Sequence, residues 1–398
     1  MEKRAVSAVA VYNLFRGLAV GGYMTVFPMY MNSLGYSMEE IGFVIAASSL
    51  ILAFILPAAG AIIDLYGPRL TVAVTGLAQV AGILIAAYSS SLSGLTVSYF
   101  LFLLAFMVGQ PARMSFLARS VEENRLGRVI GLTSSVFSAS RLSGPIAAGF
   151  IAGAVGFREA FQILALSSLI GLISFIAISV GVRLKPLAGA TSIVESYRSL
   201  LRAGGIRSIL LYVSIDRFGW SLWFPLLSAH LYAAGYSEAL VGSVITLSGV
   251  IQTLLMPLAG ALVDRYGAPV ALTLSEILGV ATAIGFSEPT PLARAYFSAV
   301  LMGISIALWV PGYNTLIARA GNGSGEAYAA ANTARSLAGA PTPYIGGLAY
   351  EALSPSAPYI LSSAVLLVAA VMAYKIGVEY RGYKGIVVKE VIVEAGKS

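Results

Sequence analysis

The chain has 398 residues, of which 58% are hydrophobic and 11% charged, and a mean hydropathy of +0.85. A water-soluble domain carries roughly a quarter charged residues, so water is not the main solvent of this chain, and the net charge of +7 comes with no basic, aromatic-interleaved patch that would suit nucleic acid. The absence of cysteine excludes disulfides and thiolate metal sites, and a single histidine, His230, excludes a multi-histidine cluster, so no cofactor is expected.

From the N-terminus, MEKR leads straight into an apolar run too long for the core of a signal peptide. Twelve runs meet the need for about 20 apolar residues per spanning helix: 6–31, 40–63, 69–88, 94–118, 127–153, 157–181, 206–233, 239–263, 269–287, 292–317, 326–349 and 356–377. Inside hydrocarbon every backbone amide needs an internal partner, and these runs lack the alternation of barrel strands, so each is read as a helix. The expected fold class is an all-α membrane protein of twelve transmembrane helices in two six-helix bundles. The bundles are placed at 1–181 and 206–380, joined by a linker at 182–205 with a short surface helix around Ile193–Leu201. The tail, 381–398, is read as soluble and loosely ordered.

Loop charges set the topology. One side carries Lys3, Arg4, Arg69, Arg119, Arg125, Arg128, Arg183, Lys185, Arg198, Arg202, Arg207, Arg265, Arg319, Lys375, Arg381 and Lys384; the other carries only Arg158 and Arg294. Positive charge is retained in the cytoplasm, so both termini, the linker and the tail are expected to be cytoplasmic in a multi-pass protein of the cell (plasma) membrane.

The halves repeat each other. The stretch Gly35–Arg69 returns as Gly235–Pro269 at a constant spacing of 200, with Gly42 matching Gly242, Pro57 matching Pro257, Asp64 matching Asp264 and Gly67 matching Gly267. Nearly half of the positions are identical. Pro111 and Arg119 match Pro311 and Arg319 in the same register. Six spans separate the copies, so both halves have the same orientation, an arrangement found in secondary transporters.

With these motifs in view the chain resembles the major facilitator superfamily over its whole transmembrane length. Gly60-Ala-Ile-Ile-Asp64-Leu-Tyr-Gly67-Pro-Arg69 is similar to the family's cytoplasmic gating motif, Gly-x-x-x-Asp-Arg-x-Gly-Arg-Arg, and Gly260, Asp264, Arg265 and Gly267 form its second copy. Gly144-Pro145-Ile-Ala-Ala-Gly149 is similar to the helix-packing motif of antiporter branches. Leu65 and Pro68 replace basic positions of the first gate, Pro269 stands where Arg69 would be in the second, and Ala148 replaces a glycine in span five. The physical role is readable without the family: small residues at 60 and 260 let helices approach, and the aspartates near a helix end can meet a helix N-terminus or an arginine in one state and leave it in another.

Charges within the spans are the sharper signal, because each costs at least about 2.5–3.5 kcal/mol on insertion scales. They are Arg16, Arg113, Arg141, Asp216, Arg217, Glu276 and Arg335: five arginines against two carboxylates. Arg16 and Arg217 occupy nearly equivalent places in the first helix of each half. The resemblance implies that spans one, four, seven and ten line the central path, so these two are expected to face each other and to hold an anion. Asn13, Arg113, Arg141, Arg335, Trp220, Trp309, Tyr313 and Asn314 complete the candidate substrate site. The competing reading is structural: Asp216 pairs with Arg217, Arg141 meets a helix C-terminus, and Arg113 snorkels to the headgroups. Asp216 and Glu276 are the candidates for coupling, with Glu276 in a span that the resemblance places at the periphery, while His230 is read as a wet interfacial histidine.

The function expected is secondary active transport of a small solute by rocker-switch alternating access. The favoured cargo is a small anion, moved with proton coupling or by exchange; the alternative is proton-coupled efflux of drugs or metabolites. An enzyme is not expected, for lack of any clustered nucleophile, base and metal set. The partners expected are the lipid bilayer, an anionic small molecule and protons, with no nucleic acid, acting as a monomer.

Overall fold

The structure is a computed structural model that describes residues 2–185, 207–320 and 325–395. The linker proper and its expected surface helix at Ile193–Leu201 lie outside the described residues. The helices are α1 Glu2–Ser33, α2 Met38–Ile55, α3 Ala59–Tyr66, α4 Pro68–Tyr88, α5 Leu92–Ala118, α6 Glu123–Val155 and α7 Phe157–Ser179 in the first half. The second half has α8 Arg207–Ser221, α9 Leu227–Ala233, α10 Glu238–Tyr266, α11 Ala268–Ser287, α12 Leu292–Ala320, α13 Gly325–Gly339, α14 Thr342–Ala352 and α15 Ala357–Ala395.

Three of the twelve expected spans are interrupted. The second is α2 and α3 around a 3-10 turn at Leu56–Ala58, the seventh is α8 and α9 around Phe224–Leu226, and the eleventh is α13 and α14. Pro57, Pro225 and Pro341 fall at these breaks, where each removes an amide donor and its ring crowds the preceding turn. Nine of the described helices are long and apolar enough to cross a membrane. The remaining spans are seven and eleven, which are broken, and five, which is rich in serine, glycine and arginine. The last helix runs on to Ala395, where a loosely ordered tail was expected.

The sequence repeat is a repeat in space. Tyr30 and His230 accept at their carbonyls from the amides of Leu34 and Ala234, and the amides of Tyr36 and Tyr236 close the same turn on Met31 and Leu231. Ser37 and Ser237 cap α2 and α10 through their hydroxyls. Gly67 and Gly267 take φ of 80° and 92°, which reverses the chain between spans without the strain a side chain would add.

The halves touch at the end opposite the termini. There α2 lies on α14, and α6 lies on α10. At Gly42 the α2 backbone comes so close to the carbonyl of Pro343 that a Cβ would collide with it; at Gly242 the same holds against the carbonyl of Pro145. Hydrogen bonds tie both seams: Met38 N to Glu351 Oε1 at 2.8 Å, Tyr344 hydroxyl to Glu39 Oε1 at 3.2 Å, and Ile146 N to Thr246 Oγ1 at 3.2 Å. One hydrophobic core there draws Tyr23, Phe27, Tyr99 and Phe102 from the first half and Trp223, Leu226 and Phe286 from the second.

The terminal end is looser. Among the described residues, no atom of another element lies within 4 Å of where a Cβ would stand on Gly60 or Gly260. The close approach expected at these glycines is therefore absent in this conformation, because the inter-half contacts are spent at the opposite end. Asp264 is exposed, beside a cavity of about 520 Å³ that Arg265 and Arg319 also border. Arg69 donates to the carbonyl of Val182, within its own half, and its guanidinium carbon lies 6.0 Å from the centre of the Phe116 ring.

Candidate functional site

Both intramembrane acids lie together in the second half. Glu276, on α11, is fully buried, and its Oε1 accepts the hydroxyl of Tyr212, from α8, at 2.7 Å. Asp216, one turn further along α8, is 1% exposed and interacts with both Glu276 and Tyr212. Its nearest cation is Arg335 on α13, with Nη2 3.7 Å from Oδ2. That guanidinium also lies 4.1 Å from the ring centre of Trp309 and 4.9 Å from that of Tyr313. The two rings stack at 4.5 Å, and the Tyr313 hydroxyl donates to Asn332 at 3.0 Å. The expected Asp216–Arg217 pairing is replaced by Asp216–Arg335, since adjacent residues on a helix point about 100° apart and α13 packs on the Asp216 side.

The first half carries two arginines and no acid at the equivalent places. Tyr12 corresponds to Tyr212, Arg16 to Asp216, Gly76 to Glu276 and Arg113 to Tyr313, all 200 apart. Arg16 is 1% exposed: its Nη2 donates to the carbonyls of Ala105 and Phe106 at 3.3 and 3.4 Å, while its Nε and Nη1 have no hydrogen-bond partner among the described residues. Its charge sits over Phe106 and Phe137, 5.6 and 5.2 Å from the ring centres. Arg113 is 2% exposed, lies 5.6 Å from the Tyr12 ring centre, and likewise leaves Nε and Nη1 unpartnered. It does not reach the headgroups. Asn13 donates to the carbonyl of Thr133 at 2.9 Å rather than joining Arg16.

The facing pair of Arg16 and Arg217 is not formed. The repeat register aligns Arg16 with Asp216, so Arg217 is one residue, and about 100°, away from the equivalent position. Arg217 is exposed, with its stem against Gly339 and its charge felt by Tyr99 of the other half. Arg141 is also exposed, on the α6 face between Phe137 and Gly144, which meet α1, and Leu142 and Pro145, which meet α10. Among the described residues neither Arg141 nor Arg217 has an ion pair. Trp220 packs over Gly279 and against Trp223 at 5.4 Å, while Asn314 is exposed and accepts at its carbonyl from Tyr328. Gly144 packs on Gly22 and Leu18 of α1, and Gly149 packs on the carbonyl of Glu238.

Two readings change. Glu276 is not peripheral, because its side chain turns inward to Tyr212. His230 is not wet: it is 4% exposed, with its ring nitrogens 3.0 Å from the carbonyl of Phe286 and 3.2 Å from the hydroxyl of Tyr350. Reading every charge at the spacing of 200 would have found Tyr212 as a partner and the exchange of Arg16 for Asp216. The seam residues Glu39, Glu351 and Tyr344 carried no such signal.

Two pseudo-symmetric helical bundles, charges buried at their centre and seams at one end define a membrane transporter of small solutes. The match to the family model described as Major Facilitator Superfamily covers residues 9–343 and 209–385, and the chain belongs to that family. It is a transporter and not an enzyme. It is 23% identical to Multidrug resistance protein 2 of Bacillus subtilis (strain 168) over 92% of this chain and 94% of that relative. It is 22% identical to the multi-drug resistance efflux pump PmrA of Streptococcus pneumoniae serotype 4 over 77% of this chain and 79% of that one. Among solved structures it is similar to the nucleoside transporter NupG, with a TM-score of 0.72 at 14% identity, covering 94% of this chain and 99% of that chain. It is also similar to a POT family transporter in complex with 5-aminolevulinic acid, with a TM-score of 0.69 at 16% identity, covering 93% and 95%.

Proposed function

We propose that the protein is a proton-coupled exporter of small organic solutes that carry a negative group. One observation carries this reading: both intramembrane acids are gathered at Arg335, and of the intramembrane arginines Arg141 and Arg217 stand exposed with no acid partner among the described residues. An excess of positive charge in a low-dielectric site favours an anionic visitor. Arg217 and Arg141 are the exposed members, so they contact the cargo, while Trp309, Tyr313 and Trp220 supply the aromatic wall. Asp216 and Glu276 form the coupling unit: a proton on either carboxyl loosens the hold on Arg335, which then moves with α13. Taking the arginine-rich ends as cytoplasmic, the conformation is inward-facing, and the contacts around Asp64 and Asp264 form when the opposite seams part.

Export is supported by the two relatives named for multidrug resistance, one of them an efflux pump. Those names also suggest a second reading, efflux of lipophilic cations, which the buried acids beside the Trp309–Tyr313 stack would suit. A panel of fluorescent carboxylates and of lipophilic cations, offered to everted vesicles with an imposed proton gradient, separates the two. Accumulation of carboxylates supports the proposal; accumulation of cations alone replaces it with the second reading.

A further inference from the structure

We infer that Arg16 and Arg113 hold a small monovalent anion, chloride by its chemistry, inside the first half and apart from the cargo path. The two guanidiniums flank the same Tyr12, and Arg113 feels the charge of Arg16. They are 1% and 2% exposed, and each keeps Nε and Nη1 without a hydrogen-bond partner among the described residues. Two like charges that are buried, adjacent and incompletely bonded are costly unless a counter-charge lies between them.

The second half shows what the first lacks. There the position of Gly76 is Glu276, bonded to Tyr212 at 2.7 Å, and the position of Arg16 is Asp216, paired with Arg335 at 3.7 Å. The second half supplies its counter-charge from its own side chains. In the first half the tyrosine is kept and both acids are gone, so the negative charge comes from solution.

The surroundings select a halide. Phe106 and Phe137 face Arg16, and the Thr75 hydroxyl near Arg113 is already given to the carbonyl of Thr71 at 2.7 Å. The donors left over are few and the walls aromatic, which suits a weakly hydrated monovalent ion better than phosphate with its many acceptor positions.

The test is thermal unfolding of the purified full-length protein in detergent at fixed ionic strength, with sodium gluconate replaced stepwise by sodium chloride. A bound anion raises the melting temperature saturably, by mass action. Wild type and Arg217→Ala should show a rise of several degrees. Arg113→Gln should lose it. Gly109→Asp is the second variant, since its Cβ would lie 3.3 Å from Nη1 of Arg113 and 3.1 Å from Oγ1 of Thr75. It supplies an internal carboxylate and should make the melting temperature indifferent to chloride, which decides the matter if Arg113→Gln does not fold. No chloride response in wild type overturns the proposal. So does an equal response in Gly109→Asp, or a response lost in Arg217→Ala and kept in Arg113→Gln.

Discussion

The hydroxyl of Tyr212 donates to Oε1 of Glu276 at 2.7 Å, in a place where the carboxyl is fully buried and its other oxygen accepts no hydrogen bond among the described residues. Removing the phenol should therefore leave a buried acceptor unsatisfied, at a cost of about 1–3 kcal/mol. Tyr212→Phe is expected to lower the melting temperature in detergent, and the double variant Tyr212→Phe/Glu276→Met should recover most of the loss. A double variant no more stable than the single one would show that the two side chains are not energetically linked.

Gly42 and Gly242 permit the seams at the end away from the termini, because a Cβ on either would meet the carbonyl of Pro343 or Pro145. Valine at either position should open that end and shift the population toward the opposite state. The chain has no cysteine, so a single cysteine placed at Ser228, which is 4% exposed at the sealed end, reports access without background. Its labelling by a membrane-impermeant maleimide should rise at least about tenfold in Gly42→Val, the response to a population shift of about 1.4 kcal/mol. Unchanged labelling would remove these contacts from any role as a gate.

Gly60 behaves in the opposite way. Among the described residues nothing lies within 4 Å of where its Cβ would stand, so Gly60→Val should leave the stability of this conformation within about 1 kcal/mol of wild type, valine being no worse a helix former than glycine. On the proposed gating role, transport should fall severalfold, because the alternate state would then bring α3 into close packing at that point. A variant that transports normally would separate this glycine from the gating motif it belongs to.

The repeat and the spans were legible in the sequence because they rest on composition and spacing, which the membrane enforces strongly. The intramembrane charges were legible for the same reason. Their partners were not. Apolar runs say that a helix exists but not which way it is turned, and an offset of one residue moves a side chain through about 100°. That offset turned Arg16 and Arg217 into an expected pair, when Asp216 holds the equivalent position. Glu276 was placed at the periphery by its span alone, although its own face of α11 looks inward. The breaks at Pro225 and Pro341 were also missed, because a proline within a membrane helix is often tolerated without one.

The proposed division of labour between cargo arginines and coupling acids is tested most directly in proteoliposomes that load an anionic solute under an imposed proton gradient, with solute exchange measured at equal pH in the same vesicles. Glu276→Gln should keep exchange and lose at least about tenfold of the gradient-driven uptake, a loss of about 1.4 kcal/mol in driving the cycle. Arg217→Ala should lose both. Wild-type behaviour in Arg217→Ala, or equal loss of the two activities in Glu276→Gln, would contradict the account.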